Sequence, residues 1–155
     1  MSLSEDLAAA KVAPRQKSDP ISVAVNGNLY ELVFEQAPGA VWAAVTSKHP
    51  MRPDQPIDRM YGYNFHSVIP EIAVSTCAVT KDGEPVELTV QKRSPEFPYP
   101  VDEWADLFAV LDGGAFNRVA DVVFSLNQWE PDQRTIALSK ASRVDSAPNS
   151  DSPAS

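Results

Sequence analysis

Apolar residues recur most regularly between residues 101 and 130. Two sets are spaced by three and four positions, which is the period of a helix buried on one face. The first set is Trp104, Leu107, Phe108 and Leu111, and the second is Phe116, Val119, Val123 and Leu126. Gly113 and Gly114 predict the end of the first helix, because glycine adopts the left-handed conformation after a helix at little cost. Pro131 is predicted to end the second, which gives an αα-hairpin over about 101–130.

Near the N-terminus the pattern changes to alternation, which predicts strands. Residues 21–25 and 28–34 alternate on either side of Asn26-Gly27, and both of these residues readily take the positive φ of a tight turn. This segment predicts a β-hairpin. Val23 and Val25 would share one face of their strand, and Tyr30, Leu32 and Phe34 would share one face of theirs.

The middle of the chain is punctuated by proline and glycine. Residues 40–48 predict a short helix, whose inward residues would be Val41, Trp42 and Val45. Residues 67–79 predict a longer helix with Pro70 near its start. Asp82-Gly83 predicts a turn, so residues 80–90 form either a second hairpin or an extended excursion. Residues 92–100 hold three prolines and predict a linker.

These elements predict one α+β domain, mainly α, in which an N-terminal β-hairpin packs beside a small helical body. The domain is expected to span residues 21–140 and to include the αα-hairpin at its C-terminal end. Residues 1–20 predict a flexible N-terminal arm. Residues 141–155 are rich in Ser, Ala, Pro and Asp and predict a disordered tail.

Acidic residues dominate the charge of the chain. It carries 13 Lys and Arg against 21 Asp and Glu, a formal net charge of −8. Between Asp102 and Asp132 the only base is Arg118. Such a surface repels phosphate, so neither nucleic acid nor an anionic membrane is expected as a partner. The chain has neither a spanning apolar run nor a signal sequence, so a cytoplasmic location is expected.

Residues with catalytic or metal-binding chemistry are sparse. Cys77 is the only cysteine, and His49 and His66 stand in different predicted loops without a metal-ligand spacing. No phosphate-binding loop or nucleophile elbow is present. We therefore predict no catalytic residue, no metal, no cofactor and no enzymatic activity. The alternative is a small enzyme using loop residues such as His66 and Asp58, which would require a concave polar pocket.

Aromatic residues of the αα-hairpin either fill the core or contact a partner. The helical spacing favours the core, but a small protein with two apolar helices can also present part of them to another protein. Trp129 lies outside the main stripe, where it either caps the helix or anchors a partner. The candidate partner-binding residues are Trp104, Phe108, Phe124 and Trp129.

The order of several segments resembles the tail assembly chaperones of long-tailed, siphovirus-like phages and prophages of actinobacterial hosts. After the hairpin come Lys48-His49-Pro50-Met51-Arg52-Pro53 and Gly62-Tyr63-Asn64-Phe65. A helix from Pro70 to Cys77, the sequence Glu103-Trp104-Ala105-Asp106-Leu107, and a helix closing on Ser125-Leu126-Asn127 follow. The resemblance covers about residues 20–130, and the order of the motifs carries it.

This resemblance implies a non-enzymatic protein of the host cytoplasm that is absent from the mature virion. It would bind the long, hydrophobic tape-measure protein and keep it soluble while tail subunits polymerise around it. The major tail protein is a further expected partner, and homo-oligomers are compatible with this function. Such families often make a longer product by ribosomal frameshift. The alternative is a structural virion component, such as a head–tail connector or a minor tail protein.

Overall fold

The structure is a computed structural model that describes residues 2–146, with side chains described up to residue 143. Seven α-helices are described: α1 (Leu3–Val12), α2 (Gly39–Lys48), α3 (Asp58–Tyr61), α4 (Phe65–Thr76), α5 (Glu103–Val110), α6 (Gly113–Phe124) and α7 (Glu130–Ser146). The strands are β1 (Ile21–Val25), β2 (Asn28–Phe34), β3 (Cys77–Lys81), β4 (Glu84–Val86), β5 (Val90–Gln91) and β6 (Val101–Asp102). These elements confirm the α+β, mainly α, class.

Four strands form an antiparallel sheet in the order β1-β2-β3-β4. Asn26 and Gly27 have φ values of 50° and 77°, and Val25 pairs with Asn28, so the predicted hairpin is confirmed. Asp82 and Gly83 make a second turn of the same kind between β3 and β4. The two hairpins are joined by the pairing of β2 with β3, which extends the predicted hairpin into a sheet.

Helix α4 forms the centre of the hydrophobic core. Its most deeply buried side chains are Val68, Ile69, Ile72 and Ala73, each fully inaccessible to solvent. Helices α2, α5 and α6 pack against it, and α4 leads directly into β3. The buried face of the sheet supplies Val23, Leu32 and Phe34 to the same core.

The helix predicted over residues 67–79 is shifted toward the N-terminus. It begins at Phe65 and ends at Thr76, and Cys77 starts strand β3 by pairing with Phe34. The ladder with β2 determines this boundary, because it pairs the backbone of residues 77–80 in the sheet. Pro70 therefore lies inside α4, and not in its first turn.

The two glycines of the αα-hairpin begin helix α6, and the prediction that they end α5 is wrong. Helix α5 stops at Val110, and Leu111 is extended. Asp112 caps α6, and its carboxylate accepts the backbone N–H of Ala115 at 2.8 Å. A carboxylate at this position satisfies an unpaired N–H and complements the helix dipole, so the cap sets the helix start.

Pro131 does not stop the second helix. A π-helical turn, Ser125–Trp129, follows α6, and Pro131 is the second residue of α7. Within this turn the Glu130 N–H bonds to the carbonyl of Ser125, five residues earlier. Proline lacks an N–H and crowds the carbonyl four residues before it, and a wider turn at that place accommodates both defects.

Both chain ends are more helical than predicted. The expected flexible arm contains α1, which starts with a capping box between Ser2 and Glu5, although all its side chains are exposed. The predicted disordered tail starts within α7, which continues to Ser146; its remaining residues, 147–155, lie outside the described part.

Helix α2 departs from the prediction at one residue. Val41 was predicted to face inward and is exposed, whereas Val45 is buried and Trp42 is half-buried.

Replacing Gly113 by alanine tests the corrected hairpin. Gly113 has a negative φ and open space where a Cβ would lie, so Gly113→Ala should raise the free energy of unfolding by about 0.5 kcal/mol. Gly27→Ala is the matched control and should lower it by about 1 kcal/mol, because Gly27 has a φ of +77°. Urea unfolding measures both. If Gly113→Ala instead lowers the free energy of unfolding, Gly113 has the left-handed conformation of a residue that ends α5.

Candidate functional site

A buried carboxylate organises the proline-rich segment before α4. The side chain of Asp58 is fully inaccessible to solvent, and it accepts two hydrogen bonds from the Arg52 guanidinium, each at 2.9 Å. The backbone N–H of Arg52 donates a third at 2.8 Å. Hydrogen bonding to Arg52 outweighs the effect of burial and holds the pKa of Asp58 below its usual value.

The same guanidinium reaches the start of α4. Arg52 Nη1 lies 3.2 Å from Nδ1 of His66 and its guanidinium lies over the Phe65 ring, 5.9 Å from the centroid. Partial burial and the nearby Arg52 lower the pKa of His66. Arg52 therefore connects the buried carboxylate of Asp58, six residues later in the chain, to the start of α4.

Helix α4 is also tied to the end of α2. Glu71 accepts a hydrogen bond from Lys48 Nζ at 2.8 Å, and its other carboxylate oxygen contacts His49 Nε2. Lys48 and His49 together lower the pKa of Glu71. The hexapeptide from Lys48 to Pro53 therefore makes structural ion pairs with α4 and α3. Asp58 has no carboxylate oxygen open to solvent in this arrangement.

The structure does not place the four candidate partner-binding residues on one surface. Trp104 and Phe108 are buried, with 7% and 4% of their surface exposed, because the apolar face of α5 packs on α4. They are core residues in this fold, which corrects the prediction. Phe124 is half-buried with its ring edge-on to Tyr61, at a centroid distance of 5.6 Å. Trp129 alone is on the surface, with 55% exposed.

Two further apolar side chains, Ile136 and Leu138, are exposed on α7. Trp129 and Ile136 are seven residues apart, about two helical turns, and share one face, which we call the C-terminal surface, whereas Leu138 lies on the opposite side of the helix. Every side chain from residue 132 to 143 is exposed, so α7 has no buried face in the described part of the chain. Sequence reasoning missed Ile136 and Leu138. The only sequence feature that indicated them is the short apolar run from Thr135 to Leu138, and this run is too short to predict a helix or a strand.

A second candidate site is an apolar groove between the sheet and helix α5. Its volume is about 260 Å³, and we call it the α5 groove. Its apolar lining consists of Val25, Tyr30, Val79, Val86, Leu88, Leu107 and Val110. Glu103 and Asp106, from the first turn of α5, form an acidic rim. The groove is slightly smaller than a typical small-molecule pocket, which spans about 300–1,000 Å³, so its size suits side chains of a docked segment.

Cys77 and the metal-ligating residue types offer no further reactive site in the described part of the chain. Burial raises the pKa of the Cys77 thiol to about 12, so it stays protonated at neutral pH and is a poor nucleophile. Between residues 2 and 146, no three His, Cys, Asp or Glu side chains are close enough to hold a metal ion. Over the same residues, no helix has the length and apolar character needed to cross a bilayer.

Comparisons with known proteins identify no relative of this chain. No protein-family model, no curated protein and no solved structure matches it. The candidate surfaces are therefore defined only by their own geometry: the C-terminal surface and the α5 groove.

Removing Arg52 tests the buried ion pair. Arg52→Met leaves the Asp58 carboxylate buried without its partner, and we expect a loss of about 3–5 kcal/mol in the free energy of unfolding at pH 7. The matched control is Lys48→Met, which removes an exposed pair and should cost less than about 1 kcal/mol. Equal effects of the two substitutions in urea unfolding would contradict a special contribution of Asp58.

The same pair predicts a pH dependence of stability. Because the folded-state pKa of Asp58 is lowered, its contribution is present above the unfolded-state value of about 4 and is lost as the pH falls through the folded-state pKa. The stability difference between the natural chain and Arg52→Met should therefore shrink on acidification. Urea unfolding at several values between pH 7 and pH 3 measures it, and a constant difference would argue against this linkage.

Proposed function

We propose that this protein is a non-enzymatic tail assembly chaperone, which binds a tape-measure protein and keeps it soluble during phage tail assembly. The order of motifs between residues 20 and 130 supports this proposal by its resemblance to such chaperones. The observation that carries the physical argument is the C-terminal surface, where Trp129 and Ile136 are exposed on one face at the start of α7, a helix whose side chains from residue 132 to 143 are all exposed.

An apolar helical surface suits an amphipathic client. Tryptophan contributes more binding energy than most side chains when a partner buries it, and Trp129 is the largest exposed side chain of this surface. Helix α7 is 17 residues long, so a client helix could lie along it over several turns. Isolated helices of this length are only marginally stable in water, so α7 would gain stability from a partner that covers it.

The charge of the chain fits the same function. A net charge of −8 opposes self-association of complexes that carry an apolar client. We place the protein in the host cytoplasm and outside the mature virion, with the tape-measure protein as its client and the major tail protein as a further partner. Neither nucleic acid nor membrane is part of this proposal.

The test is co-expression with a candidate client, namely a long, helix-rich tail protein encoded by a neighbouring gene. We expect the client to be soluble and to co-purify, and Trp129→Asp combined with Ile136→Asp to reduce its recovery at least about tenfold, since each buried apolar anchor is worth about 2 kcal/mol. The matched control is Met60→Asp, which changes an exposed apolar residue on α3, outside the C-terminal surface. Equal recovery with the double variant would contradict binding at this surface.

Mass analysis of purified particles separates the proposal from its alternative. Absence of this chain from particles, together with a soluble client, supports the chaperone. Presence at a fixed stoichiometry would instead support a structural virion component, such as a head–tail connector or a minor tail protein. Failure to associate in both assays would remove the phage assignment.

A further inference from the structure

Helix α1 and the α5 groove are two unpartnered surfaces whose chemistry matches. We propose that helix α1 of one copy docks in the α5 groove of a second copy, so that two chains exchange their N-terminal arms in a dimer. This inference concerns the chain alone and does not rest on the proposed function.

The N-terminal arm forms helix α1, but none of its side chains is buried against the rest of the chain. Its start is fixed by the capping box of Ser2 and Glu5, yet no side chain from residue 2 to 17 is buried. Leu3 and Leu7 are spaced by one helical turn and are 73% and 52% exposed. A ten-residue helix is marginal in water by itself, so α1 would be stabilised by a surface that covers its leucines.

Residues 16–18 determine where the arm leaves the body. Ser18 N–H donates to the Phe34 carbonyl at 2.8 Å, and Gln36 N–H donates to the Gln16 carbonyl at 2.7 Å. The backbone of Lys17 also forms an isolated antiparallel β-bridge with Glu35, the residue after β2. The arm is therefore anchored at its base beside the end of β2, while α1 is exposed along its whole length.

The α5 groove offers a complementary surface. Leu107 and Val110 line its α5 side, and Glu103 and Asp106 lie one turn before them on the same helix. The Glu103 carboxylate also accepts the Thr89 N–H at 2.8 Å, which fixes one acid at the rim. The row on α1 has the same spacing, because Leu7 lies one turn after Leu3 and Lys11 lies one turn after Leu7.

Charge decides the orientation of the docked helix. An antiparallel arrangement places Lys11, in the last turn of α1, beside Glu103 and Asp106 in the first turn of α5. In this arrangement the dipoles of the two helices also run in opposite directions, which is favourable for helices that lie side by side. A parallel arrangement would bring Glu5 and Asp6 against the same two acids and would be repulsive. The antiparallel arrangement is therefore the one that the charges permit.

Two such contacts, related by a twofold axis, would close a dimer. Each contact covers an apolar row on α1 and an apolar floor in the groove, so the exchange removes two exposed surfaces per chain from water. The C-terminal surface lies on other elements, α7 and the turn before it, and does not take part in this contact.

A charge swap tests the exchange in the full chain. Light scattering should give twice the chain mass of 16.9 kDa for the natural protein. Lys11→Glu and Asp106→Lys should each weaken the dimer about tenfold, as expected for about 1.4 kcal/mol, and the double variant should restore it. Asp54→Lys is the matched control, because it makes the same charge change at an exposed residue outside the groove. A monomeric natural chain, or a dimer unaffected by either single variant, would overturn the proposal.

A cross-link distinguishes exchange between chains from docking within one chain. A Leu7→Cys chain mixed with a Val110→Cys chain should form a mixed disulfide under mild oxidation. The natural chain, which contains only the half-buried Cys77, is the control and should not cross-link. If the disulfide forms only when both cysteines are on one chain, α1 docks in its own groove and the exchange is wrong. If it forms in neither arrangement, α1 does not occupy the groove.

Discussion

Burial of the apolar face of α4 is the interaction on which the rest of this structure depends. The helix packs against α2, α5 and α6 and continues into the sheet through β3. Val68, Ile69 and Ile72 are inaccessible to solvent, and burial of each side chain stabilises the folded state by about 1.5–3 kcal/mol. Trp104 and Phe108 are core residues for the same reason: α5 has no other place to bury its apolar face.

The segment before α4 is rich in proline, and its backbone is folded into short turns and the four-residue helix α3. Its folding is fixed by charge, through the bidentate contact of Arg52 with the buried Asp58. The pairs of Lys48 and His49 with Glu71 hold its other end against α4. A buried pair is worth most as a constraint on conformation, since one partner without the other is strongly unfavourable.

Among the described residues, the α5 groove and the C-terminal surface are the apolar surfaces that carry the functional argument. The α5 groove lies between the sheet and α5, and the C-terminal surface is exposed because no side chain of α7 from residue 132 to 143 is buried. Acidic side chains border the groove, while α1 carries Lys11 beside its leucines. Apolar area makes association favourable, and the charges around it determine which segment fits and in which direction.

The sequence by itself determined the local features: the hairpin at Asn26-Gly27, the turn at Asp82-Gly83 and the α+β class follow from rules that act within a few residues. Tertiary structure decided where α4 ends, since the ladder with β2 turned residues 77–79 into strand. The Asp112 cap, which places Gly113 inside α6, is instead a local contact between residues three apart. It also decided which aromatic residues are exposed. Helical spacing identifies an apolar face, but only the packing of α5 on α4 separates the buried Trp104 from the exposed Trp129, because burial depends on elements distant in sequence.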